Sequence, residues 1–152
     1  MAALDPATFV GPLETRLAQL TPDTPRRWGR MTAPEMVCHL SDSFRAMLGE
    51  RPVEQTFRWS PARRRLVRFV ALKTPLPWPK GVETLKEVNP HRQGSRPSGF
   101  ERDRTELRTL LRRFVAPDAS YGPHPMFGSM SRDEWMIWTF RHMDHHLRQF
   151  GL

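Results

Sequence analysis

At the head of three runs with helically spaced apolar residues, a hydroxyl residue is followed three positions later by glutamate. Thr32-Ala33-Pro34-Glu35, Ser98-Gly99-Phe100-Glu101 and Ser131-Arg132-Asp133-Glu134 all have the form of a capping box. In that motif the hydroxyl accepts from an early helical N–H, and the glutamate reaches back to the N–H of the cap. A sequence punctuated in this way is predicted to be all-α. A fourth start signal, Asp5-Pro6, sets a cap before proline at the first helical position.

The apolar residues fill in the helices. Phe9, Leu13, Leu17 and Leu20 form the stripe of the first. Gly11-Pro12 predicts a kink in it, or a late start at Pro12, and Thr21 to Pro25 stops it. Met36, Val37, Leu40, Phe44, Met47 and Leu48 share one face of the second, which ends at Gly49. Phe100, Leu107, Leu110, Leu111 and Phe114 mark another, closed by Pro117. The last runs to Gly151. Residues 50–96 are rich in proline. A short helix is predicted there from Ser60-Pro61 to about Lys73, with Leu66, Phe69, Val70 and Lys73 along one side. Thr74-Pro75-Leu76-Pro77-Trp78-Pro79 must be extended. A connection this long reads as a crossover rather than a tight hairpin. With 152 residues and no internal repeat, the expectation is one domain over 1–152, large enough to bury a core. Its architecture is expected to be a four-helix bundle with a long crossover between helices 2 and 3.

On a wheel of about 100° per residue, the last helix has one wide apolar arc that includes Trp135, Trp138, His142, Met143, His146, Leu147 and Gln149. Asp133, Glu134, Arg141, Asp144 and Arg148 fill the other arc. His142 and His146 lie about 40° apart and one turn apart in height, so both imidazoles can point at one atom. His145 falls at the boundary on the charged side, which makes 142/145 the weaker pair. His39 sits at the edge of the apolar face of the second helix, with the small residues Ser43 and Ala46 one and two turns on. Three neutral imidazoles from two helices make an open metal site with His39, His142 and His146 as ligands. Gln149 can orient a ligand imidazole; His124, in the loop before the last helix, reads as a surface loop residue or, more sharply, as a fourth ligand or substrate contact at the mouth of the site. Trp138 reads as core or pocket wall. Cys38 adjoins His39 but points about 100° away from it, so it is not read as a ligand. It is also the only cysteine, which rules out an internal disulfide and a cysteine-based zinc knuckle.

Lys+Arg 24 against Asp+Glu 16 gives a net charge of +8. That excess suits acidic partners or an anionic substrate without dictating a fold. Arg58, Arg63, Arg64, Arg65 and Arg68 read first as a solvated face, and more sharply as an anion-binding flap or a nucleic-acid patch. Met1-Ala2-Ala3-Leu4-Asp5-Pro6 carries neither a basic nor an apolar leader region. No apolar run approaches the roughly 18 residues of a membrane span. The expectation is a soluble, cytoplasmic chain with no membrane partner.

Taken together, the segment Met31 to Leu40, the His124-Pro125-Met126-Phe127-Gly128 loop and the C-terminal run Asp144 to Gly151 resemble the DinB-like superfamily of metal-binding four-helix bundles. More narrowly, they resemble a branch marked by HPxFG and DHHLRQFG motifs. The resemblance spans nearly the whole chain from Trp28 onward. It implies an up-down-down-up bundle, a divalent metal on His39, His142 and His146, and a homodimer. It also implies an activity of hydrolase or thiol-dependent transferase type, with a thiol cosubstrate in the second case.

The leading expectation is a metal-dependent enzyme acting on a small organic substrate, with zinc or nickel as the ion, because imidazole ligands do not choose sharply between them. An open position on three histidines can activate water or a thiol. No residue stands out as a general base. The alternative is a metal-holding or small-molecule-binding protein without turnover. A basic nucleic-acid-binding module ranks last, since there is no recognition-helix motif and no aromatic–basic interleaving.

Overall fold

Five α-helices and one 3₁₀ turn make up the regular structure in a computed structural model of the chain, which describes residues 4–55 and 57–152. Met1 to Ala3, the start of the segment read for a leader, lie outside the described residues. In chain order the elements are α1 (Pro6–Ala18), α2 (Ala33–Met47), α3 (Pro61–Lys73), the 3₁₀ turn Lys86–Val88, α4 (Phe100–Val115) and α5 (Arg132–Gln149). Among the described residues there is no β-strand, only an isolated antiparallel bridge between His124 and Gly128. None of the helices is long and apolar enough to cross a membrane.

The caps explain where the helices begin, and two expectations need correction. Asp5 accepts the N–H of Ala7 at 3.0 Å, and α1 starts there, at Pro6. The helix passes through Pro12 without a late start, because neighbouring turns and the burial of Phe9, Leu13 and Leu17 hold it across the missing N–H. Thr32 and Ser131 form complete capping boxes with Glu35 and Glu134. Ser98 does not. Gly99 is the N-cap of α4, and the Asp103 carboxylate reaches back to the N–H groups of Ser98 (2.8 Å) and Gly99 (3.1 Å). A buried carboxylate one turn in satisfies the orphan donors that Glu101 was expected to serve.

The core is continuous. Leu13 and Leu17 of α1, Met36, Leu40 and Phe44 of α2, Leu107, Leu111 and Phe114 of α4, and Trp135 and Leu147 of α5 are all buried. α1 packs on α4 and α5, α2 packs on α4 and the 3₁₀ turn, and α3 packs on α5. α2 is buried on almost every side, polar residues included. The hydroxyls of Ser41 and Ser43 donate to the carbonyls of Val37 and His39 one turn back. Asp42 takes two arginines and Ser95 of the crossover. The crossover therefore covers the polar side of α2, which the apolar stripe alone would leave in solvent. Gly94 makes this possible at a tight turn: a Cβ there would lie 2.6 Å from the backbone of Asn89.

Candidate metal centre

α2 and α5 bring three imidazoles together. His39 comes from the middle of α2, His142 and His146 from successive turns of α5. Their ring centroids lie 5.3 Å (39–142), 4.7 Å (39–146) and 4.9 Å (142–146) apart. One ligand atom from each lies within 4.8 Å of the others, and all three residues are buried. The set could hold a single metal ion.

Hydrogen bonds fix which ring nitrogens face inward. The carbonyl of Val88, at the end of the 3₁₀ turn, can only accept, and it lies 2.9 Å from His39 Nδ1. His39 Nδ1 therefore carries the proton and Nε2 is a bare lone pair. The same reasoning reaches His146 through a relay. Gln149 donates its amide N–H to the Trp28 carbonyl at 2.9 Å, which turns Oε1 toward His146 Nδ1 at 3.0 Å. Nδ1 of His146 is then the donor, and its Nε2 is also bare. His142 differs. Its Nε2 lies 3.3 Å from His39 Nε2, and its Nδ1 is buried with no partner among the described residues.

Electrostatics favour neutral rings. Burial holds His39 below the ordinary imidazole pKa, against the opposing pull of its Val88 bond and Asp42. Burial, then the neighbouring histidines, push His142 well below it. His146 is pushed well down by burial and then by His39, with the Gln149 bond opposing. Neutral imidazole is the ligand form.

Around the triad the neighbours differ in role. The Trp138 ring stands 4.8 Å from that of His142 and joins a wall with Phe44, Phe114 and Trp135. His124 is outside the ligand group, beside Trp138 at 5.7 Å. Its Nδ1 accepts the N–H groups of Met126 (3.1 Å) and Phe127 (3.3 Å), so its proton sits on Nε2. Ser43 offers no free hydroxyl, because its proton is spent on the His39 carbonyl at 2.8 Å; a helical serine with no nearer acceptor bonds one turn back. His145 is half-buried, packed against Trp28 and Trp78, and outside the ligand group. Cys38 faces away toward Asp103 at 4.0 Å, with burial pushing its thiol up to about 12.

Three contributors carried no sequence signal that singled them out. Trp78, from the proline-rich stretch, lies 6.0 Å from the His142 ring. Arg141 fastens that stretch by donating to the carbonyls of Thr74 and Leu76. The Trp28-Gly29 loop buttresses Gln149. Gly29 has φ +81°, and a Cβ there would sit 2.3 Å from Gln149 Nε2. The visible signals were only a tryptophan inside a proline run and a glycine beside a tryptophan. Arg64 and Arg68 are not members of a free basic patch. They donate to the carbonyls of Pro125 and Ser129 and so strap α3 to the loop that carries His124. A long side chain bonds the nearest orphan carbonyls when its helix docks beside them.

Acid should unfold the metal-free chain by way of these rings. Burial also lowers His124, to about 3. An unfolded histidine takes a proton near pH 6.5, but these folded ones take it only further down. The unfolded chain therefore binds more protons as pH falls, and stability that is full above pH 6.5 is lost below it. Urea midpoints measured in chelator should fall steadily from about pH 7 to pH 5, where carboxylates barely titrate. His124→Asn, which keeps an acceptor near the Nδ1 position, should flatten the slope. A midpoint constant over this window would contradict the neutral buried rings.

A family model described as a protein of unknown function (DUF1569) matches residues 46–151. The match takes in the His124 loop and all three histidines of α5, His142 and His146 of the triad among them, but begins beyond His39. No curated protein and no solved structure matches the chain.

Proposed function

The chain belongs to the family of proteins of unknown function DUF1569, and we propose that it is a metal-dependent enzyme of DinB-like type. In this reading His39, His142 and His146 hold a divalent ion, zinc or nickel, that activates water or a thiol against a small organic substrate. α1, α2, α4 and α5 are the four helices of an up-down-down-up bundle, and α3 rides on the crossover. The contacts of α1 with α4 and α5, and of α2 with α4, support that arrangement.

One observation carries the proposal. Two of the three imidazoles are oriented by chains of bonds that end on backbone carbonyls, and both present a bare Nε2 to the same point. In the metal-free chain His39 Nε2 meets another imidazole nitrogen, His142 Nε2, at 3.3 Å, and a cation suits these converging lone pairs. When bound, the ion supplies Lewis acidity that brings water or a thiol close to ionisation at neutral pH. The remaining work falls to the chain. Val88 and Gln149 hold the rings in register, Trp138 and Trp78 wall the site and limit water, and His124 Nε2–H is a neutral donor beyond Trp138. All three donors are neutral, so the charge of the centre favours an anionic partner such as a thiolate.

The direct test compares zinc- and nickel-loaded protein on activated esters and amides in water with transfer of an electrophile to added thiols. Turnover in either arm that is lost in His39→Ala supports the reading. Metal bound without turnover in both arms would favour a metal-holding protein instead. The support from Gln149 can be checked separately. Gln149→Ala, or Gly29→Ala, which drives a Cβ into Gln149, should weaken metal affinity about 10- to 100-fold with the fold retained. Competition against a chelating dye reads the change, and unaltered affinity in both variants would remove Gln149 from the account.

A further inference from the structure

α3 is held to the body of the protein by one side only. Leu72 is buried, and Arg64 and Arg68 are bonded to the loop before α5. The opposite side is bare: Leu66 is 63% exposed, Phe69 58% and Val70 40%, and Leu76 just beyond the helix is 57% exposed. At about 100° per residue these α3 side chains share one arc, with Arg65 at one edge and Arg63 at the other. Both arginines and Lys73 are exposed, and none of the 13 residues of α3 is acidic. An apolar strip with an arginine at each edge, closed at the C-terminal end of the helix by Lys73 on the same side, is the pattern of a helix that lies in the plane of a membrane surface.

We propose that this face docks the protein on the surface of an anionic lipid bilayer. Leu66, Phe69 and Val70 enter the boundary between headgroups and acyl chains, and Arg63, Arg65 and Lys73 meet lipid phosphates. Charge complementarity selects this occupant. A second copy seated face to face would set these cations against their own kind. A nucleic acid would leave the aliphatic strip in water. Half the circumference of α3 is already taken up by the body, which suits a flat partner better than a groove. The expectation of no membrane partner rested on the lack of a long apolar run, and a helix lying in the interface needs none.

The test is co-sedimentation of the full chain with vesicles of phosphatidylcholine alone, or containing about one third phosphatidylglycerol. The parent should pellet with the anionic vesicles and partition on the order of tenfold more weakly to the neutral ones. Arg63→Ser with Arg65→Ser should weaken anionic binding by roughly tenfold, and added salt should weaken it as well. Leu66→Ser with Phe69→Ser should weaken it by a similar factor, about tenfold, through the lost apolar burial. All four side chains are exposed, so circular dichroism should be unchanged. Failure to pellet with anionic vesicles, or equal pelleting of the parent and both variants, would overturn the proposal. So would light scattering that shows a stable parent dimer split by Leu66→Ser with Phe69→Ser, because a second copy would then cover the face.

Discussion

His146→Ala is expected to abolish tight metal binding. Structural zinc held by four protein ligands contributes about 10–16 kcal/mol, so one ligand accounts for about 3 kcal/mol, or on the order of a hundredfold in affinity. An open site with only three protein ligands has none in reserve. His146 is also the ring oriented by Gln149 and Trp28, so its removal wastes that support too. His39→Ala and His142→Ala should behave alike, and the triple variant should hold no ion at the centre. His145→Ala should retain it, because the His145 ring packs on Trp28 and Trp78 outside the ligand group. Thermal melts give an independent readout, since a ligand that binds only the folded state raises its stability. Zinc should raise the midpoint of the parent and of His145→Ala, and leave the other variants unmoved. If loss in His145→Ala equals that in His146→Ala, the assigned trio is wrong.

Asp42→Ala should produce the largest loss of stability among single changes at buried polar positions, about 3–5 kcal/mol. Asp42 is fully buried, and its carboxylate accepts from Arg45 at 3.0 Å, Arg51 at 3.1 Å, the Ser95 N–H at 2.6 Å and the Ser95 hydroxyl at 2.9 Å. Removing it takes the buried carboxylate from two guanidinium groups at the edge of the core, of which Arg45 keeps Glu106 and Arg51 keeps the Glu87 and Gln93 carbonyls. It also frees the crossover, because Arg51 in turn donates to the Glu87 carbonyl at 2.7 Å, next to Val88. The effect should therefore reach His39, whose Nδ1 bond depends on Val88 staying in place. Urea unfolding measures the first consequence and metal affinity the second. A cost below about 1 kcal/mol, as for an exposed pair, would mean that the network is not holding the crossover.

What was legible in the sequence follows from how local each signal is. Thr32 with Glu35 and Ser131 with Glu134 are contained within one turn, so α2 and α5 start where the motif places them. Ser98 with Glu101 looks identical in sequence. It gives way to Asp103 because the winner depends on which carboxylate the tertiary fold buries. The three histidines were legible because helical spacing fixes which face each occupies. Their partners were not: Val88, Trp28 and Trp78 come from irregular segments with no periodicity to read. The apolar stripe of α2 shows which residues share a face and not what covers the rest of the helix, and nothing in residues 86–98 announces that Ser95 will meet Asp42. The side of α3 carrying Leu66, Phe69 and Val70 was legible as a face. That it would point outward was not, because spacing reports which residues share a side and not which side meets the core.

The centre itself can be tested most directly by X-ray absorption at the zinc edge of zinc-loaded protein, with and without an added small thiol. The expected spectrum has three imidazole nitrogens at about 2.0–2.1 Å with a further light-atom ligand, which is replaced by sulfur at about 2.3 Å when thiol is added. His39→Ala with His142→Ala and His146→Ala should give no such signal. A shell with fewer imidazoles, a sulfur ligand before thiol is added, or an unchanged spectrum in the triple variant would contradict a three-histidine centre with an open position.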